Sequence, residues 1–178
     1  MSGTGAIEGE GFLLRRAVAA DVAFLAELAR HDEVEPFMAA VSARAPEELL
    51  EEVRRSEEDP SHHGRFVLEV DGEPAGALAF EVANRRSRIA YLHGIMLDPR
   101  RRGRGLAGRT TRALVRHLIL ELDYHRVQLE VYGFNERAIA LFERAGFVRE
   151  GVRRRAYRRH GEWVDGILFG IVREDLDP

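Results

Sequence analysis

Apolar residues recur along the chain with two periods, and the switching between them predicts the elements. Phe12–Arg16 reads as a short strand. Behind Asp21, a residue type suited to an N-cap, Val22, Leu25, Leu28 and Ala29 fall at helical spacing. A second helix starts at Pro46, with Glu47 and Glu48 placed favourably against the helix dipole and Leu49, Leu50 and Val53 on its apolar side. Residues 66–70 and 75–82 flank Asp71-Gly72, the strongest short hairpin signal in the chain, and Ile89–Leu97 is an apolar strand closed by Asp98-Pro99. Leu106, Thr110, Leu114, Leu118 and Leu122 then repeat every fourth residue, which predicts one long helix over 105–122. A strand is expected over 127–132. Asn135 caps a helix with Ala138, Leu141, Phe142 and Ala145 on its apolar face, ended by Gly146. Residues 147–157 and 163–172 form a late hairpin around His160-Gly161. A strand–helix–strand crossover gives parallel neighbours, so this order implies a mixed sheet with helices on its faces.

Composition narrows the class. A length of 178 residues fits one domain, expected over 12–178 behind a flexible, Gly-rich leader over 1–11. No stretch approaches the roughly 20 apolar residues of a membrane-spanning helix, and the leader has no basic residue, so it does not read as a signal peptide. Cysteine is absent, which excludes disulfides, thiolate metal sites and a Cys nucleophile, and leaves the cytoplasm as the default location. All 27 basic residues are Arg, which removes Schiff-base chemistry and a phosphate-binding lysine. The net charge of −3 argues against a nucleic-acid partner.

The segment from Leu97 to Ala107 carries chemistry. It is a strand end, a loop rich in Gly and Arg, and a helix start. Gly103 and Gly105 permit backbone conformations closed to other residues and let a ligand approach the main chain. The free N–H groups of the helix start make an anion site, with Arg100, Arg101, Arg102 and Arg104 around it, and a pyrophosphate suits it. Neither the Walker nor the Rossmann pattern is met.

Arg102-Gly103-Arg104-Gly105-Leu106-Ala107 resembles the Arg/Gln-x-x-Gly-x-Gly/Ala motif of the GNAT superfamily of acyl-CoA-dependent N-acyltransferases. The block running from Asn135 to Gly146-Phe147 resembles that family's second motif at the same distance downstream. Glu150-Gly151 and the Gly161 to Asp165 stretch extend the likeness to a subgroup holding amino-acid, antibiotic and ribosomal-protein acetyltransferases. It covers nearly the whole chain, from Phe12 to about Val172. The resemblance implies the GNAT fold, a single α/β (mixed α+β) domain with six to seven strands in a central sheet and four helices. It implies acetyl-CoA as cosubstrate, no metal, and acetyl transfer to a primary amine of a small molecule by direct attack. A protein N-terminus as acceptor, or a non-catalytic CoA-binding sensor, are the alternatives. Backbone groups of Ile95 and Leu97 would hold the pantetheine arm, backbone N–H groups of Arg102, Gly103, Arg104, Gly105, Leu106 and Ala107 the pyrophosphate, and Asn135 and Phe142 would lie against the cosubstrate.

For the proton transfers, the resemblance places His93 as base. Many family members carry a tyrosine acid where this chain has Phe142, so Tyr132 and Tyr157 become the candidate substitutes, with unaided thiolate departure as the other route. Tyr91, Glu81 and Glu130 are further polar strand residues, Glu130 being expected on the less buried face. The acidic run from Glu47 to Asp59 is expected to border the acceptor entrance and to favour a cationic acceptor. The basic late hairpin, Arg153 to Arg159, reads as an exposed or dimer-flanking ribbon, compatible with a homodimer. His62-His63 reads as a loop without further metal ligands.

Overall fold

A computed structural model of the chain describes residues 5–38 and 45–176. One eight-stranded sheet, ordered β1-β2-β3-β4-β5-β6-β8-β7, organises the molecule. Its strands are β1 (Ile7–Gly9), β2 (Phe12–Arg16), β3 (His63–Val70), β4 (Glu73–Asn84), β5 (Ile89–Leu97), β6 (Arg126–Tyr132), β7 (Val148–Arg159) and β8 (Glu162–Val172). The helices are α1 (Val22–Ala29), α2 (Pro46–Glu58), α3 (Leu106–Arg116) and α4 (Glu136–Arg144). All neighbours are antiparallel except β5 and β6, which the α3 crossover joins in parallel.

Strand alternation sorts side chains onto two cores. Phe66, Leu68, Leu78, Phe80, Ala90, Leu92 and Leu129 pack with Leu114 and Val115 of α3 and Phe142 of α4. Val67, Ala77 and Met96 point the other way, under Leu25 and Leu28 of α1 and Leu49 and Val53 of α2. Both hairpins form where expected. Asp71-Gly72 and His160-Gly161 all have positive φ, the geometry of a type I′ turn.

Three expectations change. The expected leader contains β1, which pairs Ile7 with Leu14 and Gly9 with Phe12 around the positive-φ Gly11; residues 1–4 lie outside the described residues. This strand raises the count from seven to eight, and backbone pairing rather than apolar alternation makes it. The long helix is also not uniform. Its α-helical part ends at Arg116, and 117–121 form a wider π turn, with the Leu122 N–H on the His117 carbonyl at 3.1 Å. Apolar residues every four positions drift off a 3.6-residue stripe, and the wider turn keeps Leu118 and Ile119 fully buried.

β5 and β6 pair only over Ile89–Tyr91 and Arg126–Gln128, and beyond that register they part. β5 is also bulged: Ala77 faces Met96 and Ala79 faces His93, so Gly94 and Ile95 together oppose Leu78. Gly94 takes φ +58°, and a Cβ there would lie 2.7 Å from the Arg65 guanidinium beneath it. Splay and bulge open the cleft in which the site lies.

Candidate active site

The parted strands enclose a cavity of about 370 Å³. Its walls are Tyr91 to Leu97 of β5, Leu129 to Val131 of β6, and Ala138, Leu141 and Phe142 of α4. Glu33, Val34, Phe37 and Met38, from the α1–α2 connection, roof it. Two arginines hold that roof. Arg102 donates to the Glu33 carboxylate at 3.0 Å and the Glu33 carbonyl at 2.8 Å, and Arg159 donates to the Glu35 carbonyl and carboxylate, each at 3.1 Å.

At one end lies the glycine loop. Gly103 (φ +84°) and Gly105 (φ +68°) are both in the left-handed region, with open space where a side chain would project. Gly105 is the N-cap of α3, so the first N–H groups of that helix face outward with its dipole behind them. Arg102 and Ala107 reach the cavity wall, while Gly103, Arg104 and Gly105 lie exposed beside it. Arg100 is paired with Asp98 at 2.7 Å. The loop has the conformation, charge and open approach that a pyrophosphate requires.

On the facing side, Asn135 caps α4, its Oδ1 accepting from the Ala138 N–H at 3.2 Å. Capping occupies that oxygen, and Asn135 also lines the cavity. Phe142 is buried against Phe147 and Phe169 and still lines the wall, so core packing and cavity lining coincide. Ile95 and Leu97 line it from the strand.

The polar groups deeper in come from β5 and β6. His93 borders the cavity; its Nδ1 is buried without a protein partner, and burial, with Arg65 and His63 nearby, holds its pKa down at about 3. Its imidazole is neutral at neutral pH. Glu130 lies on the less buried face of β6, as expected, and lines the cavity from there. Its Oε1 is buried and without a hydrogen-bond partner, 3.8 Å from Arg153, and the chain makes room for it by having no side chain at Gly166, where a Cβ would fall 1.9 Å from that oxygen. Burial, then the Glu130 carboxylate, push the Tyr91 hydroxyl up to about 12; burial and Glu130 do the same to Tyr157. Both phenols are therefore neutral donors at neutral pH.

Tyr132 is placed differently from the other candidates. It is buried behind the wall, stacked on Phe134, edge-on to Tyr157 and beneath Arg159, and its hydroxyl lacks a protein partner. It does not line the cavity. The acidic run on α2 is also not at the cavity mouth: Glu51 pairs with Arg54 and Arg55, Glu58 with Arg54, and Glu52 with the buried Arg65 at 2.6 Å. The charges of Glu51, Glu52 and Glu58 are met by arginines three or four residues away on the helix and by Arg65 of the sheet below. The cavity's own carboxylates are Glu33, Glu130 and Glu136. No cluster of three or more His, Asp or Glu able to hold a metal ion occurs among the described residues, and no described helix is long and apolar enough to cross a membrane.

Known proteins resemble this chain in sequence and in fold. The chain is 32% identical to the L-amino acid N-acetyltransferase AaaT of Escherichia coli (strain K12) over 61% of its own length and 68% of that protein's. It is 32% identical to the uncharacterized N-acetyltransferase YokL of Bacillus subtilis (strain 168) over 64% of each chain, so it spans less than two thirds of that relative. In fold, a Mycobacterium smegmatis RimJ in complex with CoA-disulfide superposes with a TM-score of 0.80 at 24% identity, covering 98% of this chain and 88% of that one. A spermidine N-acetyltransferase SpeG chimera from Vibrio cholerae and hSSAT gives 0.82 at 22% identity, over 95% and 100%. The profile of the Acetyltransferase (GNAT) family matches residues 25–147, the span that holds the splayed strands, the glycine loop and the capped helix, and the chain belongs to that family.

Proposed function

We propose that the protein transfers the acetyl group of acetyl-CoA to a primary amine of a small molecule, by direct attack in a ternary complex. The observation that carries this reading is the cleft between β5 and β6, lined both by an anion-binding helix start and by a largely buried carboxylate, Glu130, whose Oε1 has only Arg153 at 3.8 Å and the Tyr157 hydroxyl near it.

The residues present fit acetyl-CoA. Backbone N–H groups of residues 102–107 suit its pyrophosphate, the β5 edge at Ile95 and Leu97 its pantetheine amides, and Phe142 with Leu141 its apolar thioester end. Glu130 binds the acceptor as its ammonium form, since a largely buried carboxylate whose arginine partner stands 3.8 Å away favours a closer cation. His93, neutral beside it, takes a proton so that the amine attacks as a free base. Phe142 offers no proton to the departing thiolate, and Tyr132 is held behind the wall. The thiolate of CoA is a good enough leaving group to depart without a side-chain acid.

Names among the similar proteins, an L-amino acid and two spermidine acetyltransferases, are in keeping with a cationic small-molecule acceptor. The test is a panel of amino acids, polyamines and N-terminal peptides assayed for amine-dependent thiol release from acetyl-CoA. Turnover fastest with a cationic small amine, and a Glu130→Gln variant whose KM for that amine rises tenfold or more, is the expected result. Binding of acetyl-CoA without turnover on any amine, or preference for acidic acceptors, would sink the reading.

A further inference from the structure

Arg65 of β3 is the largest completely buried side chain among the described residues, and the reaction proposed above leaves it without a task. It pairs in register with Ala79 of β4, which in turn faces His93 of β5, so its side chain runs across the sheet beneath the bulge. Two of its nitrogens engage one oxygen of Glu52 on α2: Nε donates at 2.8 Å and Nη2 lies at 2.6 Å. The third, Nη1, donates to the Gly94 carbonyl at 3.4 Å. Its backbone is held as well, the N–H donating to the buried Ser56 Oγ of α2 at 3.0 Å. A buried ion pair of this kind adds little to stability, since apolar residues of like volume commonly serve as well. Its effect is local. Gly94 has φ +58° and no Cβ, which would fall 2.7 Å from Nη1, so the guanidinium fits against its backbone. Glycine has the widest choice of backbone angles, and a buried carbonyl without a donor is costly. The guanidinium therefore selects the orientation of the Gly94–Ile95 peptide that meets it.

We infer that Arg65, anchored by Glu52, is a positioning residue for acetyl transfer: it fixes the Gly94–Ile95 peptide with the Ile95 N–H presented to the carbonyl oxygen of the thioester. This rests on the acetyl-transfer reading above. No described peptide bond is cis, and a trans peptide points its C=O and N–H in opposite directions. Arg65 holds the Gly94 carbonyl on the α2 side, so the Ile95 N–H is turned away from α2, and both residues line the large cavity. The Ile95 carbonyl and Leu97 remain for the pantetheine amides. In the step it assists, the lone pair of the free amine forms the N–C bond as the carbonyl π pair moves onto oxygen. That pair returns as the C–S bond breaks with its electrons going to sulfur; the nitrogen gives up one proton and the thiolate takes one. Negative charge on the oxygen is greatest between these two events. A donor already in place there lowers the barrier more than it strengthens binding. A guanidinium on the carbonyl of a peptide also polarises that peptide, which makes its N–H the stronger donor in a dry interior.

The test removes both charges together, so that neither is left buried alone. In the double variant Arg65→Met, Glu52→Gln, kcat should fall tenfold or more while KM for acetyl-CoA and for the amine stays within twofold. Infrared difference spectra of bound acetyl-CoA, isotope-labelled at its acetyl carbonyl, supply a readout that loosened packing would not move. The thioester C=O band should lie below its free-solution position in the parent and return toward that position in the variant. If the double variant does not fold, Arg65→Lys replaces it. Lysine keeps the ion pair with Glu52 but lacks the planar fork that reaches Gly94 at the same time, so a threefold or larger fall in kcat and the same band movement are expected. A folded variant with parental kcat, or with a lowered kcat and an unmoved band, overturns the positioning role and leaves the acetyl-transfer reading standing. So does a fall in kcat matched by a rise in either KM, which marks disturbed packing. A parent chain that releases no thiol with any amine overturns both.

Discussion

Arg102 and Glu33 are bonded twice, guanidinium to carboxylate at 3.0 Å and guanidinium to carbonyl at 2.8 Å, and this joins the glycine loop to the roof of the cavity. The pair is split between a half-buried arginine and an exposed glutamate, so the ion pair itself contributes under about 1 kcal/mol. Its effect is on order. A loop held in place loses less freedom when its N–H groups close on an anion. Arg102→Ala should therefore weaken acetyl-CoA binding about five- to tenfold in calorimetry, with the melting temperature lowered by only a few degrees. Glu33→Gln, which keeps the carbonyl bond, should weaken it less than threefold. Equal affinity in all three proteins would mean that the latch does nothing for binding.

Gly105 separates strain from obstruction. Its φ of +68° is costly for any residue with a Cβ, yet nothing lies within 4 Å of where that Cβ would be. Gly105→Ala should lose roughly 1–2 kcal/mol of stability in chemical denaturation, and acetyl-CoA affinity should fall at least tenfold because the relaxed loop turns its N–H groups away. Asn tolerates the left-handed region better than Ala, so Gly105→Asn should recover part of the stability. It should not recover the affinity, because its side chain still occupies the approach to the loop. Affinity tracking stability across both variants would refute the obstruction.

Much of this was legible in the chain, and the parts that were not share a cause. The glycine loop, the Asn135 cap and both type I′ turns depend on residues adjacent in sequence, so local chemistry reveals them. β1 has no apolar alternation to announce it, because only backbone pairing with β2 defines it. Glu130 does lie on the less buried face of β6, with Arg126 and Gln128, as alternation predicts; the space for its carboxylate was hidden because it depends on Gly166, on a strand brought alongside by the β6–β8 pairing. The acidic run on α2 was misplaced for a different reason. Its spacing to Arg54 and Arg55 already implied pairing within the helix, and only the buried Arg65 beneath Glu52 needed the tertiary structure.

The leaving thiolate gives a prediction with a small expected effect. Tyr132 is packed among Phe134, Tyr157 and Arg159, outside the cavity wall. Tyr132→Phe should keep turnover within about threefold, under 1 kcal/mol of barrier. Phe142→Tyr places a hydroxyl in the wall itself, and its effect on thiol release with a poor acceptor amine should exceed that of Tyr132→Phe. A hundredfold loss in Tyr132→Phe would make that tyrosine the acid and remove unaided departure.

His93 should also be visible in stability, independent of any substrate. Its folded pKa of about 3 lies below the ordinary histidine value near 6.5, with burial as the main cause and the Arg65 and His63 charges adding to it. Above pH 6.5 neither state binds the proton, and His93 leaves stability unchanged. Between pH 6.5 and 3 the unfolded chain takes up a proton that the folded chain refuses, so stability falls as the pH falls, by up to about 1.4 kcal/mol per pH unit. The shifted carboxylates act lower down: Asp21 beside Arg15, Asp98 beside Arg100 and Glu150 beside Arg126 are all held below their usual range, so what they contribute is lost only as the pH drops through acid values. The window from pH 6.5 to 4.5 thus isolates the imidazole. Denaturation of the parent and of His93→Gln across that window should give two curves that converge as the pH is lowered, the parent losing about 2 kcal/mol more than the variant. Parallel curves would show that His93 titrates normally in the folded protein, and a histidine that charges freely is not the neutral base of the proposed reaction.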